Sequence, residues 1–229
     1  MVEFNFTVTN ARSMLNKVDS IVDSFEELEL SIMTITETWL CGGPQQENIT
    51  DRLLNDHGIG LIHWNRKGRG GGVAVLYKKA LGLKEHRFKR KSHEIVAAKG
   101  TIQRCSRPIY IFCVYVKPTM SRLRKTEMLE LIIEAVNNIK TKEQNPLICI
   151  TGDFNQLPTS MIEDALPAIK KLDSPATRGD ASLDIILCNF AENVKQTSIA
   201  PSLESETGCK SDHRVLYATA SFEEKHSFN

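Results

Sequence analysis

The chain has 229 residues, 29 Lys and Arg against 28 Asp and Glu, and a net charge of +1. That length is enough for one α/β domain with a sizeable core, expected to span 1–229. The near-neutral balance excludes a global field drawing the protein onto nucleic acid or an anionic membrane, so any such binding has to be local. The six cysteines include no C-x-x-C pair. Cys113, Cys149 and Cys188 lie inside apolar runs and read as buried thiols of a reducing compartment, neither a zinc site nor a disulfide framework. No basic head with an apolar signal core opens the chain, and no run of about 18 apolar residues occurs, so neither secretion nor membrane insertion is expected.

In chain order, "EFNFTV" alternates apolar and polar residues as a strand does. Leu15, Val18, Ile21, Val22, Phe25 and Leu28 then recur at helical spacing. "SIMTITETWL" is a second β-rich run, and "GVAVLYK", "HEIVAAKGTI" and "RPIYIFCVYV" continue as short strands broken by Gly, Pro or charged turns. A helix is expected from Arg122 to Lys140, where Leu123, Met128, Leu131, Ile132, Ala135, Val136 and Ile139 share one side. "NPLICITG", "SLDIILCN" and "HRVLYATASF" complete the strands. Strands outnumber helices and recur at short spacing, which predicts two β-sheets facing each other with helices outside.

Polar residues gather where these apolar runs stop: Asn10, Glu37, Asp153 with Asn155, Asp184, and Asp212 with His213. Any one of them is explicable as turn chemistry, because short polar side chains bond nearby backbone. Together they predict a cleft in which several carboxylates converge, and their repulsion calls for a proton or a cation. An oxygen-rich acidic set suits Mg²⁺ or Mn²⁺ and disfavours zinc. His213 adds a group that titrates near neutrality, and Asp184 is placed to hold its ring in one tautomer.

The segments "TNARSMLNK", "TITETWL", "GRGGGVAVLY", "VYVKP", "TGDFN", "TRGDASLDIIL" and "SDH" occur in the order seen in the endonuclease/exonuclease/phosphatase superfamily. In detail they resemble the apurinic-endonuclease-like domain of non-LTR retrotransposons, over essentially the whole chain. The resemblance implies a DNase I-like, four-layer α/β sandwich that nicks duplex DNA with Mg²⁺ or Mn²⁺ and leaves a 3′ hydroxyl. By the same resemblance Glu37 is the principal metal ligand, Asn10 assists it, and Asp212 is an accessory metal-site acid. Asp153 activates the attacking water, Asn155 and Tyr115 hold the phosphate, and Asp184 orients His213, which contacts the scissile phosphate. Ser211 and Thr177 are further phosphate-site residues.

The resemblance leaves two other readings open. One is a different phosphoesterase of the superfamily, acting on abasic DNA, RNA or phosphoinositides, because fold does not fix substrate. The other is an inactive nucleic-acid or protein-binding relic, which the intact set of site residues disfavours. A reverse-transcriptase region is absent from this chain, a monomer is expected, and a nuclear location follows from a DNA substrate alone. Only about 26 residues separate "GDFN" from "SLD", which leaves little room for large recognition loops.

Outside these motifs, "GRGGGVAVLYKK" reads as a strand-entry turn, since β-branched residues stand where a phosphate loop needs a helix. The basic stretch "KEHRFKRKSHE" carries Arg87, Lys89 and Arg90, which with Arg66 and Arg69 are candidate contacts to a DNA backbone. A solvated edge hairpin is the alternative. Trp39 and Trp64 are expected in the core.

Overall fold

The computed structural model describes residues 1–66, 68, 70–102, 105, 107–155 and 157–224. One sheet is built from β1 (Val2–Asn10), β2 (Ile32–Thr36), β3 (Ile59–Trp64), β4 (Val73–Lys78), β11 (Val194–Ala200) and β12 (Val215–Phe222). The other is built from β5 (Lys84–Glu85), β6 (Ile95–Thr101), β7 (Pro108–Tyr115), β8 (Leu147–Asp153), β9 (Lys170–Lys171) and β10 (Asp184–Cys188). Their strand orders are β11-β12-β1-β2-β4-β3 and β5-β6-β7-β8-β10-β9.

Each sheet has a single parallel pair at its centre, β1 with β2 and β7 with β8, and every other pairing is antiparallel. A parallel pair needs a crossover, which here is α1 (Val18–Glu27) in the first sheet and α3 (Arg122–Lys142) in the second. Two shorter helices, α2 (Pro44–Asp51) and α4 (Ser160–Ala165), complete the set.

Period-two alternation splits the central strands between two cores. Phe4, Phe6, Val8 and Val75 of the first sheet meet Val96, Ile111, Cys149 and Ile186 of the second in one buried cluster. The opposite faces pack on helices. Met33, Ile35 and Leu76 meet Ile21, Val22 and Phe25 of α1, while Phe112, Ile148 and Ile150 meet Met128, Ile132 and Val136 of α3. Helix, sheet, sheet and helix therefore form four layers, the expected DNase I-like sandwich. The Thr151 hydroxyl donates to that of Thr34 at 2.8 Å, a polar tie between the two sheets.

Cys113, Cys149 and Cys188 are buried free thiols, as their apolar context predicts. Burial pushes Cys188 up to about 11 and raises the other two as well, so none forms a reactive thiolate at neutral pH. The Gly-rich turn leads directly into β4, with Gly70, Gly71 and Gly72 all at positive φ. No helix among the described residues is long and apolar enough to cross a membrane.

The structure adds elements that the sequence pattern does not announce. α2 and the π-helical turn Arg52–Asp56 bury only Ile49 and Leu53. β11, "VKQTSIA", has no fully buried position, because it is an edge strand. "SIMTITETWL" is strand only to Thr36; Glu37 and Trp39 take left-handed backbone at φ 51° and 57°, which ends the pairing. Trp39 and Trp64 are half-buried, so neither is a full core residue.

Candidate active site

The central strands of both sheets end side by side, and the expected polar residues meet there. Asn10 closes β1, Glu37 follows β2, Tyr115 closes β7, Asp153 closes β8, Asp184 opens β10, and His213 stands two residues before β12. Asp153 and Asp184 are direct cross-strand partners. One oxygen of each and a ring nitrogen of His213 lie within 4.8 Å of one another.

Two hydrogen-bonded groups organise the cluster. In the first, the Asn10 side-chain amide donates to Glu37 Oε1 and to Asp153 Oδ2, both at 2.9 Å, so one Asn ties the carboxylates of the two sheets together. The Tyr115 hydroxyl donates to the same Glu37 oxygen at 2.8 Å, and Trp39 Nε1 donates to Oε2 at 3.3 Å. In the second, His213 Nδ1 lies 2.7 Å from Asp184 Oδ2, with both side chains fully buried. Thr177 Oγ1 accepts the backbone N–H groups of Leu183 and Asp184 at 3.2 Å, which fixes the start of β10. Ser211 Oγ donates to the Asn10 carbonyl at 2.6 Å and accepts the His213 N–H at 3.2 Å, linking the two groups.

Asp153 Oδ1 accepts the Asn155 N–H at 3.0 Å, and the Asn155 side-chain amide donates to the Val116 carbonyl at 2.8 Å. That turn holds Asn155 at φ 43°. Of the eight non-glycine residues at positive φ among the described residues, five are in or beside this site: Arg12, Ser13, Glu37, Trp39 and Asn155. Such backbone costs about 1–3 kcal/mol per residue and persists only where the surroundings impose it, so its concentration here marks a built site.

Burial, then the neighbouring charge of Asp184, raises the Asp153 carboxyl to about 7 against the Asn10 hydrogen bond and the pull of His213. Burial disfavours the charged ring of His213. The Asp184 hydrogen bond and charge, with Asp153 and Asp212, outweigh it and raise His213 above the ordinary imidazole value. Burial and then Glu37 raise the Tyr115 hydroxyl, which stays a neutral donor.

The donor chemistry fits a hard divalent cation. Glu37 and Asp153 offer carboxylate oxygens on either side of Asn10, and buried Asp184 Oδ1 has no hydrogen-bond partner. A buried acid with one unsatisfied oxygen beside another acid is what a bound cation would relieve.

The remaining candidates divide. Asp212 sits at the rim, about one-third exposed, and pairs with Arg178 at 2.7 Å and Arg12 at 3.4 Å. Arg66 is half-buried beside Gly71. Arg90 lies 6.0 Å over the Trp64 ring and pairs with Glu85, as does Arg87. Arg87 and Lys89 line a groove between the hairpin and α3 that shares no residue with the site. Arg69 lies outside the described residues.

Sequence reasoning missed Trp39, assigned to core packing, and also Glu94 and Lys117. Glu94 is buried, accepts the Gly72 N–H at 2.6 Å and pairs with Lys117 at 3.2 Å. Trp39 in turn donates its own N–H to the Gly71 carbonyl. A buried acid at the end of a basic run was the available signal. "VYVKP" already contained Lys117.

No family model and no curated protein matches the chain. Among solved structures it is similar to the endonuclease domain of TRAS1, a telomere-specific non-LTR retrotransposon, at 13% identity and TM-score 0.65, covering 96% of this chain and 99% of that one. It is similar to the 3′ phosphatase NExo from Neisseria, bound to a product DNA hairpin, at 15% identity and TM-score 0.69, covering 96% and 99%. An endonuclease/exonuclease/phosphatase protein of Bacteroides vulgatus gives 15% identity and TM-score 0.71 over 97% and 100%. With the layer order and strand topology above, these likenesses establish that the chain has the endonuclease/exonuclease/phosphatase fold.

Proposed function

We propose that the protein is a divalent-metal-dependent phosphodiesterase, an endonuclease that nicks duplex DNA and leaves a 3′ hydroxyl. The observation that carries this reading is the buried Asp153, Asp184 and His213 cluster, tied through Asn10 to Glu37 and Tyr115. The TRAS1 domain, an endonuclease, and NExo, solved with a DNA hairpin, support the nucleic-acid substrate.

Attack on a phosphodiester places further negative charge on oxygens that are already anionic, so the site must supply donors and a base. Asp153 is the base. It takes the proton of the attacking water as the new P–O bond forms, and the bond to the 3′ oxygen breaks, that oxygen leaving and taking up a proton from solvent to become the 3′ hydroxyl. In the metal-free protein, burial and then Asp184 raise Asp153 to about 7, so it takes up a proton more readily than an exposed carboxylate. The Asn155 N–H holds one Asp153 oxygen and Asn10 the other, which orients the lone pairs. With Nδ1 engaged by Asp184, His213 offers Nε2 to a phosphoryl oxygen, and the ring carries its proton more readily than a free imidazole. The second N–H of the Asn155 amide adds a donor for the phosphate, and the Tyr115 hydroxyl reaches it only by leaving Glu37.

Mg²⁺ or Mn²⁺, held by Glu37 with Asn10 beside it, would supply Lewis-acid stabilisation of the phosphoryl charge. Enzymatic access to chromosomal DNA would require a nuclear location. The test is conversion of supercoiled plasmid to open circles by purified protein with Mg²⁺ or Mn²⁺, followed by polymerase extension from the nick. Extension without prior phosphatase treatment is the expected result; plasmid left supercoiled across varied sequences contradicts the reading.

A further inference from the structure

We propose that Asp212 is the organiser of an arginine pair, Arg12 and Arg178, that binds a backbone phosphate next to the scissile one, and that it is not a metal ligand. This rests on the phosphodiester-substrate reading above and deepens it.

Three loops converge on this carboxylate. Asp212 Oδ1 lies 3.4 Å from Arg12 Nη1, and Oδ2 lies 2.7 Å from Arg178 Nη2. Each partner is anchored within two residues of the site. The Arg12 N–H donates to Asn10 Oδ1 at 3.0 Å, and its backbone is held at φ 43°. Arg178 follows Thr177, which fixes Asp184, and its own N–H donates to the Ala181 carbonyl. Arg214 braces the same loop, donating from Nη2 to the Ala176 carbonyl at 2.6 Å and from its backbone N–H to that of Thr177 at 2.8 Å. Asp212 itself precedes His213. The pair is therefore set on rigid backbone at the edge of the catalytic cluster.

Charge decides what this arrangement binds. Two guanidiniums on one carboxylate leave an excess of one positive charge, and they offer more N–H donors than one carboxylate can accept. A divalent cation brought to Asp212 would meet cations on both of its oxygens, whereas a phosphate would meet two planar forks suited to its oxygens. Arg12 and Arg178 are about half exposed, at 54% and 49%, and Asp212 is 32% exposed. Exposed pairs of this kind contribute little to stability, so either arginine can trade its carboxylate for a phosphate at little cost.

The test measures binding of a duplex oligonucleotide in EDTA over a salt series, with wild type, Arg12→Gln, Arg178→Gln and the double variant, beside Mn²⁺ titration of Asp212→Asn. The double Gln variant is expected to reduce the slope of log K against log salt by about 0.9, the share of one phosphate, and each single variant by part of that. Arg12→Lys and Arg178→Lys should keep the wild-type slope. Asp212→Asn should leave Mn²⁺ affinity essentially unchanged, where losing even a group that supports a ligand costs roughly 10- to 100-fold. An unchanged slope in the double variant overturns the proposal, as does a tenfold loss of Mn²⁺ affinity in Asp212→Asn, or no DNA binding by wild type. Binding without cleavage leaves it standing and counts only against the nuclease reading.

Discussion

Two histidines occupy matching places in the two halves of the molecule, and only one belongs to the site. The order β11, β12, β1, β2, β4, β3 of one sheet repeats as β5, β6, β7, β8, β10, β9 in the other, with a helix joining each central parallel pair. His213 stands two residues before β12 and His93 two residues before β6. Both are buried and both meet a carboxylate: His213 meets Asp184, which is fully buried on β10, and His93 meets Glu127 of α3 at 2.9 Å. Glu127, however, is partly exposed and shared with Lys91. The strand ends differ in the same sense. The last rung of β2 with β4 joins Thr36 to Val73, whereas that of β8 with β10 joins Asp153 to Asp184. The repeated topology places side chains at one end of the sandwich. The two halves differ in which of them puts paired acids there.

The largest way to break this comparison is at Gly152, paired with Val114 in the rung before Asp153. A Cβ there would lie 1.8 Å from the Val114 carbonyl oxygen, at φ 145°, while the matching position of the first half carries Ile35. Gly152→Ala should cost more than about 4 kcal/mol in urea unfolding or prevent folding, because the clash is with backbone that cannot move aside. Next come the histidines. His213→Ala should lower the nicking rate by about 10²- to 10⁴-fold, and His93→Ala should leave it within about threefold, since the proposed mechanism uses only the first, to hold the phosphate.

A pH comparison sharpens the point. The folded value of Asp153, about 7, lies above its unfolded value of about 3.8, so its contribution to stability is full below about pH 4 and is lost as pH rises through 7. The metal-free protein should therefore lose stability on this account between pH 4 and 8, on the order of a few kcal/mol, and Asp153→Asn should flatten that profile. Thermal melting with chelator across the range reads both. The smallest effect is at the crossover helices. α3 is capped by Ser121, whose hydroxyl accepts the Arg124 N–H at 3.5 Å, whereas α1 has no side-chain cap. Ser121→Ala should cost about 0.5–1 kcal/mol and leave activity alone.

The central strands and both crossover helices were legible because burial on one or both faces writes a period into the sequence. Ile148 to Ile150 and Ile185 to Leu187 are buried on both sides and read as continuous apolar runs. β11 and α2 were not legible, because an edge strand and a shallow surface helix bury too little to impose a pattern. The site residues were legible as polar interruptions at strand ends, and the family resemblance sorted them. What sequence could not give was their partners. That Asn10 bridges Glu37 and Asp153, that Trp39 reaches Glu37, and that Asp212 pairs with Arg12 and Arg178 all depend on contacts between distant segments.

The central claim is that Asp153 activates water in a cluster assembled from both sheets. Its most direct test is the plasmid-nicking rate of Asp153→Ala beside wild type, each shown by circular dichroism and thermal melting to be folded. The account predicts a loss of about 10²- to 10⁴-fold with the fold intact; equal rates in the two proteins would contradict it.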